Sequence, residues 1–262
     1  MPARHLTREE NSRIRKLRNN SAYIALRELL DLSRYINIIH PGRLVDRLSR
    51  ALRQSYFPVE RPFVPEGKLQ LILTKAAVQR ELEHVLLKRP NFRNKSTKKE
   101  SIHRLTSKIC PTLDTNLTID ADKVQYRKIF AILLFLDKTI NIESFIKNKV
   151  SDGDLPLVGC KKSRKLARKN DQGTPFLVLE DWNESTINNF ELLQWRVLAP
   201  IFRYLDPPKK LDESSILPII KHEYVAGGGY SVVYKAKIHP DHYYPSSSKV
   251  RTACVESIIY SR

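Results

Sequence analysis

Methionine occurs once, tryptophan twice and cysteine three times in 262 residues. Cys110, Cys160 and Cys254 are odd in number and widely scattered, which excludes a disulfide framework and a cysteine-built zinc site and leaves reduced thiols as the expectation. Long hydrophobic runs are missing too. The longest, Ile129 to Leu136, falls far short of the roughly 20 residues a spanning helix needs, so no membrane segment is expected. The N-terminus, MPARHLTREENSRIRKLRNN, carries charge where a secretory signal needs an apolar stretch, so the expected location is intracellular, cytoplasmic or nuclear. Neither G-x-S-x-G nor H-E-x-x-H occurs, and no nucleophile can be paired with a base, which leaves a hydrolase reading without support. His239-Pro-Asp-His242 offers two imidazoles, but Pro240 breaks helical spacing and no further ligand lies nearby, so the segment reads as a surface loop, not a metal site.

Acidic residues are also scarce: 28 against 46 basic ones, a formal net charge of +18. The excess is concentrated. Residues 87 to 108, LKRPNFRNKSTKKESIHRLTSK, hold eight basic residues against Glu100, a net of +7. Residues 161 to 169, KKSRKLARK, hold Lys161, Lys162, Arg164, Lys165, Arg168 and Lys169 with no acid. Such density repels itself and resists burial, so both segments are expected as solvated surface or flexible loop. Lys/Arg-rich runs of this kind serve phosphate contact or nuclear import, and equally well connect elements on a basic protein. Neither run is interleaved with stacking aromatics as single-strand binders usually are.

What is present in quantity is helical pattern. With 41% hydrophobic and 28% charged residues the chain should fold. Leu6 to Asn19 reads as a charged helix, and Ser21 is placed to cap a second, Ala22 to Tyr35. Pro41 suits the first turn of a third, Gly42 to Gln54. FPVERPFVPEG, with three prolines, reads as a linker or surface loop, after which Leu69 to Leu87 resumes a helical period. The strongest helix is Asp122 to Lys138, with Asp120 and Asp122 as capping candidates. It is apolar on every side from Ile129 and is therefore the expected centre of the core. Asn141 is placed to cap Ile142 to Val150, Phe176 to Leu179 reads as a short strand, and Ile187, Phe190, Leu193, Val197 and Leu198 share helical spacing up to Pro200.

From Ile216 the period shifts to 2 and three of the eight glycines fall together. ILPIIKHEYVAGGGYSVVYKAKIHPDHYYPSSSKVRTACVESIIYSR parses as strand, glycine turn, strand, polar loop, strand. Consecutive glycines allow backbone amides to approach an anion closely, and they equally make an ordinary hairpin turn. AGGGYSVVYKAKI resembles the glycine-rich loop of protein kinases, G-x-G-x-x-G-x-V. Ala226, Gly228 and Ser231 fall at the three glycines, Tyr230 at the aromatic of the tip and Val233 at the valine that roofs the adenine, with Gly227 and Gly229 adding flexibility. YSVVYKAKIHPDHYYPSSS, following RKIFAILLFLDK and FELLQWRVLAPIF, is similar to a group of fungal serine/threonine kinase-like proteins in which a helical region precedes the kinase domain.

That resemblance covers most of the chain and implies a mainly α protein. Residues 1–205 would be the helical region, 206–215 a linker and 216–262 a partial kinase domain resembling the first antiparallel strands of the small lobe. It implies ATP as the ligand of Ala226, Gly227, Gly228, Gly229, Tyr230, Ser231 and Val233, bound weakly or not at all. The third-strand lysine that holds the phosphates is missing, since anchoring A-x-K on Ala253 puts Val255 there. Through Arg262 there is no H-R-D loop and no D-F-G, so the expectation is a truncated, inactive chain with no catalytic residue. The alternative is a basic helical module binding nucleic acid or an acidic protein in the nucleus.

Overall fold

A computed structural model describes residues 42–87, 95–111, 124–160, 165–169, 182–203, 206–207, 210–227, 231–244 and 254–261. The expected helices before Gly42, the caps Asp120 and Asp122, and the expected strand Phe176 to Leu179 lie outside these residues. The fold is mainly helical, with small, mostly antiparallel sheets. Among the described residues seven α-helices occur: α1 Leu44–Ala51, α2 Glu66–Ile72, α3 Lys75–Leu87, α4 Lys95–Ile109, α5 Arg127–Phe135, α6 Ile142–Lys147 and α7 Glu184–Leu193. The strands are β1 Arg53–Ser55, β2 Arg61–Phe63, β3 Leu157–Cys160, β4 Lys165–Arg168, β5 Phe202–Arg203, β6 Ile219–Gly227, β7 Ser231–Ile238, β8 Tyr243–Tyr244 and β9 Cys254–Ser261. No helix among the described residues is long and apolar enough to cross a membrane.

The centre of the core is where the sequence puts it. Ile129 through Leu134 are all buried in α5, and α1, α6 and α7 pack around that helix. A helix apolar on every side needs neighbours on every side. Its start differs from expectation: residues 124–126 are not helical and α5 begins at Arg127, because its cap comes from a distant residue. The Asp152 carboxylate accepts the backbone N–H of Lys128 at 2.9 Å and of Ile129 at 3.0 Å. Burial pushes the pKa of Asp152 up, and the two helix amides and the Lys128 charge pull against that rise. Asp152→Ala should cost about 2 kcal/mol, since it strands two donors at a half-buried helix end. Asp152→Asn should cost less, and the order is checked by urea unfolding of both variants.

Several boundaries move for local reasons. Leu69 to Leu87 is two helices, not one, because the Thr74 hydroxyl accepts the Ala77 amide and starts α3 afresh. Asn141 precedes α6 without capping it; its Oδ1 accepts the indole N–H of Trp182 at 3.2 Å. That bond orients Trp182 in an aromatic group with Phe145 and Phe190, whose rings stack at 5.9 Å. The proline-rich stretch is not a surface loop: β1 and β2 pair across it, and Phe57, Phe63 and Val64 are buried. Both basic runs are likewise more ordered than expected. Residues 95–109 form α4, whose Ile102, Leu105 and Ile109 face the core. Residues 165–168 form β4, antiparallel to β3, with Leu166 and Ala167 buried. Local apolar spacing outweighed charge repulsion in both.

Residues Leu44–Arg262 make one compact unit. The strands after Ile216 join it through two small apolar clusters, Phe57 with Ile219 and Ala236, and Phe63 with Ala199 and Ile216. The Tyr56 amide also donates to the Ile219 carbonyl. Within 206–215, expected as a linker, the carbonyls of Ser214 and Ser215 accept from the Arg61 guanidinium.

Candidate functional site

β6, β7 and β9 form an antiparallel sheet in that order, which is the strand, glycine turn, strand, loop, strand parse of the sequence. At the mouth of the first turn Ala226 pairs with Val233 and Gly227 with Val232. Gly228, Gly229 and Tyr230 lie outside the described residues, and Ser231 opens β7. The two residues before Ala226 stand well out of the body: Tyr224 is 62% and Val225 56% exposed.

Register assigns the two faces of this sheet. Tyr234 and Ala236 pack toward Phe57, and their β6 partners Tyr224 and His222 share that face. Phe57, His222, Tyr234 and Tyr224 make a chain of edge-on ring contacts with centroids 5.2 to 6.2 Å apart. These aromatics brace the sheet on the body. A bulge at Val225 puts Ala226 and Val233 on the other face, which also carries Lys221, Glu223, Lys235 and Lys237. On β9, Ile259 stands opposite Val233 and Val255 opposite Ala236. The position of the expected phosphate lysine therefore holds a valine, and it sits at a register position of the braced face, not of Val233's face. Lys235 is the cation nearest Val233 in register on the same face.

The basic residues of 161–169 fare differently. Lys161, Lys162 and Arg164 lie outside the described residues. Arg168 bonds Asp154 through Nε at 2.6 Å, and Lys169 pairs with Asp212. Those two charges are committed to carboxylates within the fold, which weakens this run as a phosphate surface. Exposed basic side chains without a carboxylate bond of this kind occur on α4, where Lys99, His103 and Lys108 are exposed and Arg104 reaches Glu143 only at 4.0 Å. Their signal was legible as the interval of three and seven residues separating Ile102, Leu105 and Ile109.

His239-Pro-Asp-His242 is not a surface loop. Pro240–His242 form a 3-10 turn whose His242 is 1% exposed. Its Nε2 accepts the Glu66 backbone N–H at 3.1 Å and its Nδ1 faces the Pro200 carbonyl at 3.0 Å. An amide can only donate and a carbonyl only accept, so the proton sits on Nδ1. Both ring nitrogens are thereby occupied, and the ring joins the first residue of α2 to the chain before β5. Cys110 is likewise used structurally: its thiol donates to the Leu73 carbonyl, and burial pushes its pKa up.

No protein-family model, no characterised protein and no solved structure matches the chain.

Proposed function

We propose that this is a kinase-like protein, catalytically inactive in these 262 residues, in which a helical body carries a sheet bearing a degenerate ATP loop. The observation that carries the reading is the three-stranded antiparallel sheet whose first two strands pair Ala226 with Val233 and Gly227 with Val232, where the glycine run of the sequence begins. Backbone amides at such a turn approach phosphate oxygens without a Cβ in the way. Ala226 and Val233 then offer a small apolar platform beside them, and Lys235 supplies the cation nearest Val233 in register on that face. With a valine, Val255, where the phosphate-holding lysine is expected, the loop meets ATP as an open surface. Affinity should be about millimolar or weaker, roughly 4 kcal/mol.

Phosphoryl transfer needs a positioned hydroxyl and bound magnesium, and no H-R-D or D-F-G stands in the sequence to supply either. Labelled ATP with magnesium or manganese should therefore give no transfer to the chain or to a generic protein substrate. Val255→Lys should rescue none. Label transfer by the purified chain, after mass spectrometry has excluded a contaminating kinase, overturns the inactive reading. Amide shifts at Val232 and Val233 on adding ATP support the loop as its contact, whereas no shift up to about 10 mM leaves an ordinary hairpin turn.

A further inference from the structure

α4 is a sorted helix. Ile102, Leu105, Thr106 and Ile109 are buried, and Thr106 returns its hydroxyl to the Ile102 carbonyl, so every inward position is satisfied. Lys99, His103, Arg104 and Lys108 are exposed, with Glu100 as the one exposed acid of the described part of the helix. Arg104 reaches Glu143 only at 4.0 Å, with both side chains half exposed or more, a pair too open to hold its charge from solvent. The neighbouring α3 leaves Arg80 and His84 exposed. The first turn of α4 has no acid to match the helix dipole. Holding like charges together at a cost in stability is explained by an anion that offsets them.

We propose that the exposed face of α4 binds the phosphate backbone of double-stranded DNA. From Lys99 to Lys108 the helix rises about 13 Å, close to the roughly 12 Å width of the major groove of B-form DNA, so the row can bridge phosphates of both strands. Neither α3 nor α4 contains Phe, Tyr or Trp, which removes the stacking platform that single strands require. Acidic protein is the less suited partner because nothing exposed on α4 offers an apolar anchor for a docking core. This proposal is independent of the ATP loop, and either can fail alone.

The test is fluorescence anisotropy of the full chain with a labelled 20-base-pair DNA duplex, an RNA duplex of the same sequence and the single DNA strand, between 50 and 200 mM salt. Lys99→Gln/Lys108→Gln should weaken duplex binding about tenfold at 50 mM salt and reduce the log–log salt slope by about 2. Lys210→Gln/Lys221→Gln removes equal charge from exposed residues elsewhere and should change neither. Circular dichroism establishes that both variants keep their helices; a helix loss in the first is answered by Lys99→Arg/Lys108→Arg, which should bind as the parent does. Tighter binding of the DNA duplex than of the RNA duplex supports the fit to the B-form groove, whereas tighter binding of the RNA duplex, whose major groove is deep and narrow, would overturn it. Equal losses in the two Gln variants, tighter binding of the single strand, or displacement of the duplex by polyglutamate at equal charge concentration would each overturn it.

Discussion

Leu133→Ala should lower the unfolding free energy by about 2–5 kcal/mol. The side chain is fully buried in a helix packed on several sides, so the space it leaves cannot be filled by one neighbour moving inward. The cost therefore combines the lost transfer energy with a cavity term, and sits toward the upper part of that range. Leu192→Ala, at a site 69% exposed in α7, should stay within about 0.5 kcal/mol. Removing everything after Leu217 should also cost less than Leu133→Ala, because the apolar anchors of those strands form two small clusters apart from the main core. Urea unfolding with a constant m-value measures all three. A deletion more damaging than Leu133→Ala would move the stabilising centre of the protein to the Phe57 and Phe63 contacts.

His242→Ala should lower stability by about 3 kcal/mol, with the loss concentrated above pH 6.5. The substitution strips the Glu66 amide of its acceptor and the Pro200 carbonyl of its donor in a buried place. Burial pulls the pKa of His242 below 6.5, the Pro200 bond, Glu66 and Asp241 oppose this, and the neighbouring His239 adds to the fall. Burial lowers His239 as well, against the pull of Asp241, with Arg53 and Lys68 adding to the fall. In both cases the unfolded chain takes up the proton first. Native stability is then complete above pH 6.5 and declines as pH falls below it, until the depressed folded value is passed. Each proton contributes a slope of up to about 1.4 kcal/mol per pH unit. Parallel pH profiles for the parent and His242→Ala between pH 7 and 5 would show that the ring does not titrate with unfolding.

Periodicity revealed the main core and the glycine hairpin because each is written in consecutive residues. Ile129 to Leu134 needs no partner to be recognised as interior. The alternation around Val232 and Tyr234 sets a strand before any pairing is known. The places that differed depend on residues far apart in sequence. Asp152 caps a helix 25 residues before it, Trp182 claims the amide of Asn141, and His242 reaches back to Glu66. Charge misled in the other direction. The lysines of 95–108 mask an apolar interval that is sufficient to order a helix, and the prolines around Phe57 and Phe63 mask two buried rings. The face of Val255 was hidden for a third reason: a bulge between Tyr234 and Ala236 shifts the β9 register, and no composition rule announces it.

Gln194, just beyond α7, is buried, and its side-chain amide faces β3. Oε1 accepts the Leu157 N–H at 2.8 Å, and Nε2 donates to the Leu157 carbonyl at the same distance. A carboxamide has the donor and acceptor of one peptide unit, so this side chain serves as a strand one residue long. It occupies the edge that a further strand would need, and the β3–β4 hairpin is sealed against recruiting one at Leu157. Glutamate there would supply two acceptors and no donor, reopening the edge at the Leu157 carbonyl.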